Sequence, residues 1–291
     1  MNTYINCPLE NETSMWLQNL VCGHSGLLIK VKQSVFCGSS PFQKVEIFDT
    51  YRFGLTLCLG GTVVLTERDY EPYHEMMVHP AMMAHPNPKA VCVIGGGDGG
   101  CLKEVLKYKS VERVVVVEID SLVKETIEAC IPCFAAGFAD PRTEVVINDG
   151  YEYIKGTKEK FDVILVDSYD PGGPVRSLET ADFLSNLAAV VGEGIAVLQT
   201  DSPLIRADML RQTIANASTV FAGRRPYICS LRSFPEGICS FLMVGNNEEA
   251  LNGAFDGEKY GQIADSCVYY NEEMHTGAFL LPQAVRGVVN S

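Results

Sequence analysis

No basic tract runs anywhere along this chain, and its 23 lysines and arginines are outnumbered by 36 acidic residues, for a formal charge of -13. That balance argues against a nucleic-acid or anionic-membrane surface and suits a cationic ligand, although acidity that serves only solubility fits the composition equally. No apolar run approaches the roughly 18 residues of a membrane span. The opening Met1-Asn2-Thr3-Tyr4 lacks a basic segment followed by an apolar one. A signal peptide is therefore not expected, and the expected location is the cytoplasm. Internal repeats and low-complexity stretches are missing too. Metal-ligand spacing is scarce: Cys130-Ile131-Pro132-Cys133 is the one CxxC pair among eleven cysteines, with no second pair or suitably spaced histidines. No metal and no bound cofactor are expected. The scattered cysteines, such as Cys58, Cys92 and Cys239, sit in apolar contexts and read as buried thiols of a reducing compartment.

What is present is enough apolar content, 47% of 291 residues, to bury a full α/β core with a smaller module attached. From Leu27 to about Thr66 the pattern alternates in period two. Leu28–Lys32, Lys44–Phe48 and Leu55–Leu59 read as strands, and Gly60-Gly61 as a hairpin turn into Val63–Leu65. A helix follows Pro72 and stops at His85-Pro86-Asn87-Pro88. Beyond it strands are expected at 90–94, 113–118, 144–147, 161–167 and 194–199, separated by segments long enough for parallel crossovers. Runs such as Val114–Val117 predict burial on both faces. Residues 227–231 and 240–244 flank Pro235-Glu236-Gly237 as a hairpin. The expected division is a β module over 1–66 and a nucleoside-binding catalytic domain over 67–291.

The most telling segment is Gly95-Gly96-Gly97-Asp98-Gly99-Gly100, between an apolar strand and a helix. Gly95, Gly97 and Gly100 have the spacing that lets a backbone approach a nucleotide closely. Asp98 is the unusual member. A carboxylate among those amides repels a pyrophosphate, so the loop expects a ligand carrying positive charge.

Ligands of an open parallel sheet bind beyond the carboxyl ends of its strands. Asp98, Glu118, Asp149 and Asp167 stand at four successive strand ends. Each can be a helix cap or turn former, and Asn148-Asp149-Gly150 is a turn signal in its own right. The set together points to a site. Glu118 can accept from both ribose hydroxyls, and Asp149 from an adenine amino group. An adenosine with an acidic loop at its 5′ end points to a sulfonium nucleoside. In Asp167-Ser168-Tyr169-Asp170-Pro171-Gly172-Gly173-Pro174, two carboxylates can hold a cationic amine and take a proton from it. An alkylamine with a pKa of about 10 is no nucleophile until a base relieves it. Asp167 is the expected base and Asp170 the charge anchor; an Asx-turn fixing Pro171 is the structural alternative for Asp170.

These residues, with Phe42-Gln43, Thr66-Glu67-Arg68-Asp69, Tyr73-His74-Glu75-Met76, His85–Lys89, Glu118-Ile119-Asp120, Asp140-Pro141-Arg142, Tyr269-Tyr270-Asn271 and Leu281-Pro282, resemble the polyamine aminopropyltransferases, of which spermidine synthase is the type. The resemblance runs from about Gly26 to Arg286. It implies a Rossmann-like α/β sheet of the class I methyltransferase type with a small N-terminal antiparallel β module. It also implies attack of an amine on the aminopropyl carbon of decarboxylated S-adenosylmethionine, releasing methylthioadenosine. By resemblance Gln43, His74, Asp98, Glu118 and Asp149, with Gly95 and Gly97 in the turn, hold the nucleoside. Tyr73, Asp167 and Asp170 hold and deprotonate the acceptor, putrescine by family default, and the protein is a homodimer. Physics agrees on the donor: the aminopropyl arm ends in an ammonium that Asp98 attracts. A unit-charge pair near 4 Å is worth about 4 kcal/mol at an effective dielectric of about 20, before desolvation.

The chain departs from the family on the acceptor side. Leu59-Gly60-Gly61 and Val64 stand where the family has Leu-Asp-Gly and Gln, and Arg232-Ser233-Phe234-Pro235 where Pro-Thr-Tyr-Pro is common. Asn19 stands for a frequent glutamate if Trp16 is the equivalent tryptophan. An inward Arg232 disfavours a dication and suits a carboxylated acceptor; an Arg232 that is solvated or paired with Glu236 does neither. Two other readings stay open: an S-adenosylmethionine-dependent methyltransferase, opposed by Asp98 and the Asp167–Pro174 loop, and a weakly active regulatory paralogue of spermidine synthase.

Overall fold

A computed structural model describes residues 14–21, 23–168, 178–253 and 255–290. Five strands open the chain: β1 (Met15–Val21), β2 (Ser25–Ser39), β3 (Lys44–Thr50), β4 (Gly54–Leu59) and β5 (Thr62–Thr66). They pair antiparallel in sequence order. The β4–β5 turn is the expected one, with Gly60 and Gly61 at φ +57° and +87°, the left-handed pair a tight hairpin requires. Alternation in β3 and β4 turns Val45, Ile47 and Leu57 to one face, where they pack with Leu65 against Val123, Ile127, Ile131 and Phe134. This contact carries the β2–β3 loop to the edge of the larger sheet. β1 was not foreseen, because its apolar residues do not alternate.

Helix α1 (Glu71–Ala84) begins with Pro72 in its first turn and ends before Pro86. His74 through Met83 are all buried, so the helix is covered on every side. Pro80 lies inside it and cannot donate to the Met76 carbonyl. The buried phenol of Tyr227 donates to that carbonyl instead, at 2.8 Å.

The second sheet contains β6 (Ala90–Ile94), β7 (Arg113–Glu118), β8 (Thr143–Ile147), β9 (Val163–Val166), β10 (Ile195–Gln199), β11 (Gly223–Ser230) and β12 (Ile238–Gly245). Its order is β11-β12-β10-β9-β6-β7-β8. β6 through β10 run parallel and β12 antiparallel to both neighbours. This is the expected Rossmann-like, methyltransferase-type arrangement. Val91 and Val93 enter one core layer, Cys92 and Ile94 the other. β8 is an edge strand and departs from two-sided burial, with Ile147 exposed. The crossovers include α2 (Gly100–Val105), α3 (Ser121–Cys130), α4 (Pro132–Ala135), α5 (Gly150–Gly156), α6 (Ala181–Val191) and α7 (Ala207–Ser218). The chain leaves β6 toward β7 on one side and returns to β9 on the other, opening a crevice at the carboxyl ends of β6 and β9. No helix among the described residues is long and apolar enough to cross a membrane.

Candidate active site

Glycine is demanded in the β6–α2 turn by close approach. A Cβ on Gly95, whose φ is +85°, would stand 2.2 Å from the Asp167 carbonyl oxygen. One on Gly97 would stand 2.5 Å from Glu118 Oε2, and one on Gly100 2.2 Å from His74 Nε2. The turn is thereby pressed against β7, β9 and α1 at once. Gly97 N–H donates to Glu118 Oε2 at 2.9 Å and Asp120 N–H to Oε1 at 2.8 Å. Burial pushes the Glu118 carboxyl up to about 7; the two amides oppose that, and the Asp120 and Asp98 charges add to it.

Asp98 Oδ1 accepts the Gly100 N–H at 2.8 Å, and Oδ2 lies 3.4 Å from His74 Nε2. His74 is 1% exposed, with Nδ1 3.0 Å from the Tyr70 carbonyl. That oxygen can only accept, so Nδ1 carries a proton. Burial lowers the His74 pKa, but the adjacent Asp98 and the Asp167 charge outweigh it, leaving the group up at about 9. An imidazolium therefore accompanies Asp98 at neutral pH.

Asp167 follows β9 directly, its N–H held by the Ile94 carbonyl at 2.8 Å. Tyr73 O–H donates to Oδ1 at 2.5 Å, and the Cys101 thiol to Oδ2 at 3.1 Å. Burial raises the Asp167 pKa and Asp98 raises it further, against His74, Tyr73 and Cys101. Burial and the Asp167 charge hold the Tyr73 phenol well above its ordinary value, so it remains a donor.

Gly95, Asp98, Glu118, Asp167, Tyr73 and Gln43 line one cleft, with Ser168 and Gln199. Its apolar wall is Phe42, Leu59, Val63, Val64, Ile119, Val123, Leu231 and Phe234. Gln43 Nε2 donates to Asp120 Oδ2 at 3.2 Å, which also accepts Ser40 Oγ at 2.7 Å, so Asp120 anchors the β2–β3 loop over the cleft. His74 and Gly97 stand behind the lining residues and support them. Asp149 is the N-cap of α5, accepting the Tyr151 N–H at 2.7 Å, and is not among the residues lining the cleft. Asp170 lies outside the described residues.

Of the readings left open for Arg232, inward or solvated or paired with Glu236, the structure shows a solvated side chain paired with a different acid, Asp69. Its Nε donates to Asp69 Oδ1 at 2.7 Å and its side chain is 63% exposed, so it neither lines the cleft nor pairs with Glu236. Asp69, fully covered, also accepts the Ser233 N–H at 2.7 Å and thereby seats the β11–β12 hairpin, turning Phe234 to the cleft. Asn19 ties the same hairpin to the first sheet, donating to the Ser233 carbonyl at 3.2 Å and accepting the Val63 N–H at 3.3 Å.

Cys101 escaped the sequence reading; its only signal was its place one residue after the glycine turn. The ligand atoms of His74, Cys101 and Asp167 lie within 4.8 Å of one another, a spacing a metal could bridge. Cys130 and Cys133 join no such group among the described residues. All nine cysteines in the described residues are free thiols; Cys58, Cys92, Cys101, Cys229 and Cys239 are buried, whereas Cys37 and Cys133 are exposed.

Residues 70–252 match the family model described as spermine/spermidine synthase domain, and residues 15–67 the one described as spermidine synthase tetramerisation domain. A polyamine aminopropyltransferase of Thermoanaerobacter sp. (strain X514) is 37% identical over 261 residues, 89% of this chain and 93% of that protein. One from Thermotoga maritima is 35% identical over 281 residues, 96% of this chain and 95% of that protein. The solved spermidine synthase in complex with transition state analogue AdoDATO superposes with a TM-score of 0.91 at 34% identity, over 98% of each chain. The spermidine synthase structure from Thermotoga maritima gives 0.90 at 34% identity, again over 98% of each chain. With a catalytic fold, an acidic glycine turn and full-length relatives in agreement, the chain belongs to the spermine/spermidine synthase family of polyamine aminopropyltransferases.

Proposed function

We propose that the cleft moves the aminopropyl group of decarboxylated S-adenosylmethionine to a primary amine, with putrescine as the family's default acceptor. Glu118 takes the ribose hydroxyls: its two oxygens offer about four acceptor positions, and the Gly97 and Asp120 amides use two. Gln43, in the cleft lining, completes the nucleoside side. Asp98 and Asp167 set two carboxyl groups in the cleft beside the single His74 ring, an acidic lining that suits a cationic donor arm and a cationic amine. Asp167 accepts a proton from the acceptor ammonium, aided by Asp170 as a second anion. The freed amine lone pair attacks the aminopropyl carbon beside the sulfonium; the carbon–sulfur bond breaks, and its electrons stay on sulfur as neutral methylthioadenosine.

The observation that carries this reading is the Asp167 carboxylate, gripped by Tyr73 and Cys101 in the same cleft as Asp98 and Glu118. Incubation with each donor and a panel of amines tests it. Methylthioadenosine supports it, S-adenosylhomocysteine supports a methyltransferase instead, and neither product supports a paralogue of low turnover. We propose a cytoplasmic homo-oligomer. Trp16, Leu20 and Leu28 share one face of β1 and β2 and leave an apolar surface there, within the segment matched by the tetramerisation model. Light scattering separates a tetramer from the homodimer that the resemblance implies.

A further inference from the structure

A different face of α1 from the one bearing His74 carries Glu75 and His79, both 0% exposed, and both meet residues from other elements. His79 Nε2 lies 3.6 Å from Cys267 Sγ and 3.1 Å from Glu104 Oε2. The ligand atoms of Glu75, His79 and Cys267 all lie within 4.8 Å of one another. Glu104 is 0% exposed and its Oε1 has no hydrogen-bond partner, an anion buried without full compensation.

We propose that this cluster is a site for a borderline-soft divalent cation of the zinc class, bound by His79 Nε2, Cys267 Sγ and a carboxylate oxygen of Glu75, with Glu104 as a neighbouring buried anion outside the ligand set. Zinc–sulfur and zinc–nitrogen bonds of about 2.3 and 2.0 Å place the two ligand atoms about 3.5 Å apart in a tetrahedron. The His79–Cys267 separation of 3.6 Å matches that edge. Behind the ring, Nδ1 lies 2.9 Å from Tyr108 O–H, the outer partner that fixes a ligating imidazole. Glu75 accepts the Val268, Tyr269 and Tyr270 amides at 2.8, 2.8 and 2.6 Å, which leaves about one of its four acceptor positions for a metal.

Lys107 is the competing cation, with Nζ 2.5 Å from Glu104 Oε2 and 2.9 Å from the Ser266 carbonyl. Binding releases the Cys267 thiol proton to solvent. Thiolate, two carboxylates, the Lys107 ammonium and the dication then sum to zero charge. Cys267 is only partly buried, which gives the ion a route in. The ion would join α1 to the segment leading to Tyr270, both of which support the wall of the cleft without supplying its lining carboxylates.

The test uses the full-length protein stripped with chelator and titrated with Co²⁺, then Zn²⁺. One equivalent of Co²⁺ should give a thiolate-to-metal charge-transfer band that Zn²⁺ displaces, and Zn²⁺ should raise Tm. Cys267→Ala should lose both effects while its metal-free aminopropyl transfer stays at the wild-type rate. Lys107→Ala removes a like charge and should bind the metal at least about tenfold more tightly. Tyr108→Phe should weaken binding roughly 10- to 100-fold. No band in the wild type overturns the proposal. A band that survives Cys267→Ala also overturns it, and its loss in Cys101→Ser or Cys130→Ser would then locate the ion elsewhere.

Discussion

Tyr73 and Asp167, 94 residues apart in sequence, share a 2.5 Å hydrogen bond in which the phenol donates to Oδ1. Cys101 occupies the other oxygen, so the carboxylate is fixed at both ends before any substrate arrives. Asp167→Asn preserves the shape of the group and removes its basicity. Turnover should fall by roughly 10² or more, the scale of a lost general base, with methylthioadenosine affinity little changed. Near-normal turnover at saturating amine would remove Asp167 from the mechanism. Tyr73→Phe withdraws a hydrogen bond that favours the ionised form, so the acid limb of the rate profile should move to higher pH.

Burial holds the Glu118 carboxyl up at about 7, whereas ribose hydroxyls donate to its ionised form. Nucleoside binding should therefore release a proton near neutrality. Methylthioadenosine affinity should rise between pH 6 and 8 and level off above, as read by calorimetry in buffers of different ionisation enthalpy. The sign for folding is opposite to that of an ordinary paired carboxylate. A raised native pKa favours the protonated form, so this contribution is complete below about 4.3 and lost as pH climbs through 7. Glu118→Gln should bind more weakly and without the proton release; an unchanged pH dependence in that variant would assign the titration to another group.

The proposed sulfonium donor and its product differ by the ammonium arm, and Asp98, in the cleft lining, is the group proposed to sense it. Asp98→Asn should weaken decarboxylated S-adenosylmethionine by about tenfold or more relative to methylthioadenosine, a modest fraction of a close ion pair. The variant also strips His74 of its counter-ion, so the His74 pKa should drop from about 9. Equal losses for both ligands would assign Asp98 to the turn alone, through its bond to Gly100 N–H.

That Asp98, Glu118 and Asp167 share one cleft was legible because parallel topology sends successive strand ends to one crevice, whereas Asp149, the fourth strand-end acid, caps α5 and does not line it. The glycine turn was legible because close approach leaves no other residue. Pairings made across the fold were not. Asp69 and Arg232 are 163 residues apart, and nothing local to either indicates the other. His74 lies beside Asp98 only because α1 crosses the turn, so its role as a counter-ion follows from packing and not from spacing. β1 was missed for a different reason: Met15–Val21 shows no alternation, since its pairing with β2 leaves Met15, Trp16 and Leu20 exposed.

Pro80 inside α1 supplies a second test of the fold. Tyr227 O–H reaches the Met76 carbonyl that the proline leaves free, and both residues are fully buried. Tyr227→Phe strands that carbonyl and should cost about 1–3 kcal/mol in urea denaturation. Pro80→Ala restores an N–H for the same oxygen and should reduce the penalty of Tyr227→Phe. Additive losses in the double variant would show that the two groups do not share the carbonyl.

The resemblance sets Val64, Arg232 and Phe234 apart from the family pattern, and the structure divides these three residues. Val64 and Phe234 line the cleft, so each presents carbon where the family presents an amide or a phenol. Arg232 is tied to Asp69 at the surface and does not line the cleft. Loss of one buried partner for an ammonium costs about 1–3 kcal/mol, so putrescine should bind roughly ten- to a hundredfold more weakly than in a synthase that has both. Val64→Gln with Phe234→Tyr should lower the putrescine KM, with the larger gain if the two groups grip the same ammonium. Arg232→Ala should leave that KM unchanged and act on stability instead, because it uncovers Asp69. A micromolar putrescine KM in the unmodified protein, with putrescine preferred over agmatine, cadaverine and carboxylated amines, would make Val64 and Phe234 neutral replacements.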